Sequence, residues 1–186
     1  MNNKLLIIGA STYGVISFEI ASDMGCFGKI DFIDDKRTVT PNGIKVIGKT
    51  ENLENIVGEY GNVFVAIGDN EARAKITQRL RSLPSVNIVS LISPRSFVSK
   101  TAKINTGCAI EPMAVVHAGC VLLEGCIISA GAVINHGGMC GEFAHVDCNA
   151  TVEGFCNVPS LAKVKCGEIF NGKDDKLLER FLANGN

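Results

Sequence analysis

The sequence reads as two fold classes in tandem, an α/β half followed by an all-β half. Three observations carry this. Up to about Ile92, short β-branched runs alternate with helical patterns. From Val98 onward an aliphatic residue recurs at every sixth position, and a small residue follows it by four. The two halves therefore have different periods, which single-layer folds do not show.

In the first half, Lys4 to Ile8 is an aliphatic run ending at Gly9, and Tyr13 to Met24 has helical spacing. Ile30 to Ile33 and Ile44 to Ile47 read as strands, and Glu51 to Val57 as a helix. Val63 to Ile67 is a further strand, Glu71 to Leu83 a helix, and Val86 to Ile92 a strand. Alternating strands and helices imply βαβ units on a parallel sheet, a small Rossmann-like domain over residues 1–93.

At Pro94 the helical signal ends. The hexad heads are Val98, Ile104, Ile110, Val116, Leu122, Ile128, Ile134, Cys140, Val146, Val152, Val158 and Val164. Four residues after each head stand Ala102, Cys108, Ala114, Cys120, Cys126, Ala132, Gly138, Ala144, Ala150, Cys156, Ala162 and Glu168. Two columns held over twelve hexads imply a triangular parallel β-helix across residues 94–169. Each hexad supplies one strand and one corner, three hexads make a coil, and the aliphatic column fills the prism. A coil buries its apolar face only by stacking on its neighbours. After Ile169 the repeat stops. Leu177, Leu178, Phe181 and Leu182 then share one helical face, so residues 170–186 read as a short capping helix.

The 186 residues carry 18 basic and 19 acidic side chains, a formal net charge of −1, with no Lys/Arg cluster. This argues against a nucleic-acid partner. Leu5 to Ala10 is too short for a membrane span or signal core, so a cytoplasmic protein is expected. Eight cysteines occur without C-x-x-C, which disfavours zinc-ribbon and redox readings. Cys108, Cys120, Cys126 and Cys156 lie in the small column and Cys140 in the aliphatic one, as core residues. Cys148 and Cys166, eighteen apart, stack at an outer position.

The histidines are His117, His136 and His145, all in the repeat and none in either core column. They are expected to face outward or toward a subunit boundary. A coil of eighteen stacks Ala118, His136 and Gly154, which leaves space around the His136 ring. Histidine is the natural general base near neutral pH, and the competing reading is a surface histidine with a structural hydrogen bond.

Several stretches resemble one family. They are Leu5-Leu6-Ile7-Ile8-Gly9-Ala10 with Gly14, Phe32-Ile33-Asp34-Asp35, and Ala66-Ile67-Gly68-Asp69-Asn70 with Arg73. Gly131 to His136 and Gly141 to Val146 complete the set. Together, and in this order, they are similar to the NeuD and PglD sugar O-/N-acetyltransferases. The resemblance implies a left-handed β-helix, a homotrimer and acetyl-CoA as co-substrate, with no metal. It implies a sugar-nucleotide site at Gly9, Ser11, Tyr13, Asp34, Asp35, Gly68 and Asn70. It also implies His136 as the base, with His145, Asn135 and Gly154 touching the sugar or acyl-CoA. The reaction implied is acetyl transfer to an amino or hydroxyl group of a nucleotide-linked sugar in bacterial surface-glycan synthesis.

Three positions depart from the family pattern. Gly137 stands where an acidic residue usually follows the catalytic histidine, with Glu142 or Glu153 as candidate substitutes. Ser11, Thr12 and Tyr13 replace glycines and a histidine in the first turn. The repeat ends after four coils where the family generally continues. These keep open a non-catalytic, trimeric sugar-nucleotide-binding or scaffold relative. A γ-class carbonic anhydrase is disfavoured because the histidine spacings are nineteen and nine. Neither G-x-G-x-x-G nor a Walker A loop is present.

Overall fold

The computed structural model describes residues 3–83 and 86–172. The expected capping helix beyond residue 172 lies outside the described residues. The chain divides into two compact units between Leu91 and Ile92.

The first unit is an α/β domain. Its strands are β1 (Lys4–Ile8), β2 (Lys29–Ile33), β3 (Val46–Gly48), β4 (Gly61–Val65) and β5 (Asn87–Ile88). Its helices are α1 (Thr12–Met24), α2 (Leu53–Val57) and α3 (Asn70–Arg81). The sheet is parallel, in the order β3-β2-β1-β4-β5. Leu5, Leu6, Ile7 and Ile8 are all fully buried, as the continuous aliphatic run of β1 requires in a central parallel strand. The chain order reverses between β1 and β4, so their carboxyl ends form the switch point where such sheets open a crevice. Ile8 pairs with both Ile33 and Val65, which brings the segments after β1, β2 and β4 to one edge.

The second unit is a left-handed parallel β-helix. Two-residue strands form three parallel sheets, and each strand pairs with the one eighteen residues on, as Val115 with Val133 and Val133 with Thr151. The sequence reading placed Val86–Ile92 in one strand. The structure splits it: Asn87–Ile88 closes the α/β sheet, and Leu91–Ile92 opens a solenoid sheet. At the far end, Ile169–Phe170 adds another strand, so Phe170 belongs to the repeat and not to a helical tail. The heads from Ile110 to Val158 and the small column from Cys108 to Cys156 line one buried core.

A third column turns the corners. The residue three after each head, from Gly107 to Gly167, has a left-handed backbone in all eleven hexads. Six are glycines; the others are Met113, Phe143, Asn149, Phe155 and Leu161. Three of the larger members, Phe143, Asn149 and Phe155, settle over a glycine one coil earlier. A Cβ at Gly125, Gly131 or Gly137 would stand 2.4, 2.3 or 2.5 Å from Phe143, Asn149 or Phe155. Corner and space-filling are thus one device, because only glycine adopts this conformation cheaply and leaves the gap.

The core thiols follow the same periodicity. Cys108, Cys120 and Cys126 each donate to a carbonyl fifteen residues ahead, on Leu123, Asn135 and Gly141, at 3.1 Å. Burial pushes the Cys120 and Cys140 thiols up, which removes thiolate character and makes them inert core residues. No helix among the described residues is long and apolar enough to cross a membrane.

Candidate functional site

At the carboxyl edge of the α/β sheet, Gly9 has φ +109°, and a Cβ there would lie 2.5 Å from the Ala66 carbonyl oxygen. A Cβ on Gly14 would lie 2.2 Å from the Gly9 oxygen. Both glycines are therefore fixed by close approach of α1 to β1 and β4. Ser11 is the N-cap of α1, yet its hydroxyl makes no cap bond, and the first turn holds no acidic side chain. No acidic side chain of the helix itself offsets the positive end of α1, and the Asp34 carboxylate reaches the Ala10 amide just before it. Tyr13, half-buried, lies in that first turn.

Asp34 and Asp35 are both engaged by neighbouring loops. Asp34 accepts from the Ala10 amide at 2.8 Å and from the Lys36 and Arg37 amides at 2.8 and 2.9 Å. Partial burial pushes this carboxyl up, but the three backbone donors and the Arg37 charge outweigh it and hold it below its usual value. Asp35 accepts from the Thr50 amide at 2.8 Å and from the Thr50 hydroxyl. Both acids tie loops at this edge. Gly68 has open space where a side chain would be. Asn70 begins α3, behind the Asp69 cap, which accepts from Ala72 at 2.8 Å.

Sequence reasoning did not give a role to Arg73, which is 1% exposed. Its guanidinium donates to the Ile67 carbonyl at 2.9 Å and to Asn70 Oδ1 at 2.8 Å. It therefore shapes the whole β4–α3 turn from beneath. The available signal was a long cation one turn into the helix.

In the solenoid, His136 is exposed. Its Nδ1 lies 2.8 Å from Asn135 Oδ1, and its backbone amide donates to that same oxygen at 2.8 Å. Phe155 meets the ring edge-on, with centroids 5.0 Å apart at 84°. The stacking expected with Gly154 is present: a Cβ there would stand 2.9 Å from His136 Nε2. The ring's partner is Asn135, so neither Glu142 nor Glu153 takes the place of the family's acid.

Of the two placements expected for the histidines, outward or toward a subunit boundary, His145 does not take open solvent; it is 8% exposed. It pairs between the buried Ile127 and the exposed Lys163, and its Nε2 lies 3.0 Å from Ser129 Oγ. Asp147, 3.9 Å away, pairs with Lys163 at 2.9 Å. His117 is exposed beside Phe97, with ring centroids 6.3 Å apart. The structure thus brings Asn135, His136 and Gly154 together in the solenoid, and Gly9, Ser11, Asp34, Gly68 and Asn70 at the sheet edge. Among the described residues no cluster of His, Cys, Asp and Glu is arranged to hold a metal ion.

The chain as a whole resembles known proteins. The family model for the PglD N-terminal domain matches residues 4–80. The acetyltransferase domain of PglB from Neisseria gonorrhoeae is 34% identical with a TM-score of 0.86, covering 90% of this chain and 82% of that one. A structure of that domain in complex with acetyl coenzyme A superposes with a TM-score of 0.67 at 27% identity, covering 88% and 96%. A variant of perosamine N-acetyltransferase from Caulobacter crescentus, in complex with CoA and GDP-perosamine, shares the fold. It has a TM-score of 0.78 at 21% identity and covers 91% and 89%.

Proposed function

The chain belongs to the sugar acetyltransferases of the NeuD and PglD type, and on that premise we propose that it moves an acetyl group from acetyl-CoA to an amino or hydroxyl group of a nucleotide-linked sugar. The biological setting of this reading is bacterial surface-glycan synthesis. The observation that carries it is the exposed His136 imidazole, whose Nε2 faces the gap left by Gly154, in a chain similar over nine-tenths of its length to an acetyltransferase domain.

Acetyl-CoA supplies the acyl group as an activated thioester. The residues present fit that role, because any side chain at position 154 would fill the approach to Nε2. His136 removes the acceptor's proton as its nitrogen or oxygen attacks, a task worth about 10²–10⁴-fold for a positioned general base. At the sheet edge, the first turn of α1, which carries no acidic side chain of its own, suits a phosphate group of the nucleotide. Ser11, Tyr13, Gly68 and Asn70 surround that reading, and Asp34 and Asp35 order the loops beside it.

A homotrimer is part of the same proposal. The outward positions of one solenoid sheet are Phe97, Val115, Val133, Thr151 and Ile169. Phe97 and Ile169 are 57% and 65% exposed. This stripe, apolar except at Thr151, supports the reading that a second copy packs here.

The test is calorimetric titration of acetyl-CoA, with and without a UDP-amino sugar. Saturable acetyl-CoA binding is expected. Sugar-nucleotide binding without any acetyl-CoA binding would overturn the enzyme reading in favour of a non-catalytic relative.

A further inference from the structure

The arrangement around His136 specifies more than its exposure. Asn135 Oδ1 receives the His136 backbone N–H at 2.8 Å, and an N–H donates only to an acceptor. That atom is therefore the amide oxygen. The same oxygen lies 2.8 Å from Nδ1 of the ring. Nδ1 must then carry a hydrogen and donate it. In the neutral imidazole the remaining nitrogen, Nε2, holds the lone pair, and Nε2 is the atom that faces Gly154.

The backbone that carries this side chain is itself well anchored. The Asn135 backbone N–H donates to the Val152 carbonyl at 3.0 Å. The Asn135 carbonyl accepts from Gly138 at 3.0 Å and from the Cys120 thiol at 3.1 Å. On the other side, Phe155 stands edge-on to the ring, and its own amide donates to the His136 carbonyl at 3.1 Å. A side chain on the residue after the histidine has no place to stand. Gly137 has φ +65°, and a Cβ there would lie 2.5 Å from the Phe155 ring. The residue after the histidine thus supplies no orienting group, and the residue before it does.

We propose that Asn135 is the positioning residue of this site, fixing His136 as the Nδ1–H tautomer so that Nε2 is presented as the proton acceptor. The consequence for rate rests on the acetyltransferase reading; the tautomer is read without turnover. An amide orients the ring but brings no negative charge, so a carboxylate at the same place favours the imidazolium.

The experiment is two-bond proton–nitrogen NMR on protein labelled at its histidine ring nitrogens. The His136 signals are assigned by their loss in His136→Gln. In the unmodified protein, above the titration of the ring, Nε2 is expected to be pyridine-type and Nδ1 pyrrole-type. Asn135→Ala should mix or invert this pattern and lower kcat about tenfold or more, with KM little changed. Asn135→Asp should keep the pattern, restore most of kcat and move the acid limb of the pH–rate profile to higher pH. A pyrrole-type Nε2 in the unmodified protein would overturn the proposal, and so would an Asn135→Ala variant with unchanged tautomer and pH profile. If the expected tautomer is found in a protein without turnover, the orientation stands and the enzyme reading fails.

Discussion

In the α/β domain, polar residues at the site edge are engaged by their own backbone, whereas in the solenoid the histidine with the chemistry stays open. Asp34 holds three amides and Asp35 holds Thr50, while His136 is bonded only through one side and leaves Nε2 toward a gap. The difference follows from how each unit is built. A sheet edge is assembled from loops distant in sequence, and these need polar ties. A coil is already fixed by neighbours eighteen residues away on either side, so an outward side chain such as His136 is not needed to hold the fold.

Core truncation should separate the units most sharply. Leu122, fully buried at a hexad head, has no loop around it that can collapse. Leu122→Ala is expected to cost about 2–5 kcal/mol, read by chemical denaturation followed by circular dichroism. A loss below about 1 kcal/mol would mean that the stacked column is not the main support of the solenoid.

Next come the glycines, where the two units make opposite claims. Gly137→Ala forces a left-handed alanine against Phe155, and should cost about 1–3 kcal/mol. Gly68→Ala, with open space and no left-handed backbone, should stay within about 0.5 kcal/mol. Its effect should fall on sugar-nucleotide binding, measured by calorimetry. Equal stability losses at the two positions would remove the distinction between a packed corner and an open edge.

Asp34 tests the polar ties of the sheet edge. Its folded carboxyl lies below the ordinary 3.8, so its contribution is complete above the unfolded value and is lost as pH falls through the lower folded one. Asp34→Asn should lose about 1 kcal/mol at neutral pH, since the residue is partly solvated. Its stability should then vary less with pH below about 4. An acid-unfolding curve that superposes on that of the unmodified protein would show that the loop tie carries nothing.

What was legible follows the same divide. The hexad heads and small column could be read off because every coil repeats them, from Ile110 to Val158. The corner column escaped notice, because five of its eleven members are not glycine and two are phenylalanines, residues that propensity places elsewhere. The ends of the solenoid were misread by a strand each. Leu91–Ile92 is continuous in sequence with Asn87–Ile88, and Phe170 is followed by a polar tail. At the sheet edge, the glycine turn and acids were visible as a pattern. Their partners were not, because Ala10 with Asp34 and Thr50 with Asp35 are contacts between loops. The burial of His145 and Arg73 likewise depends on neighbours distant in sequence or hidden in a turn.

The most direct test of the central claim is acetyl transfer from acetyl-CoA to a panel of nucleotide-linked amino sugars by the unmodified protein and by His136→Ala. Oligomeric state should be followed in parallel by light scattering. The account expects turnover in the unmodified protein and a loss of about 10²–10⁴-fold or more in His136→Ala, with the assembly intact. An unchanged rate, or unfolding of the variant, would contradict the role assigned to His136.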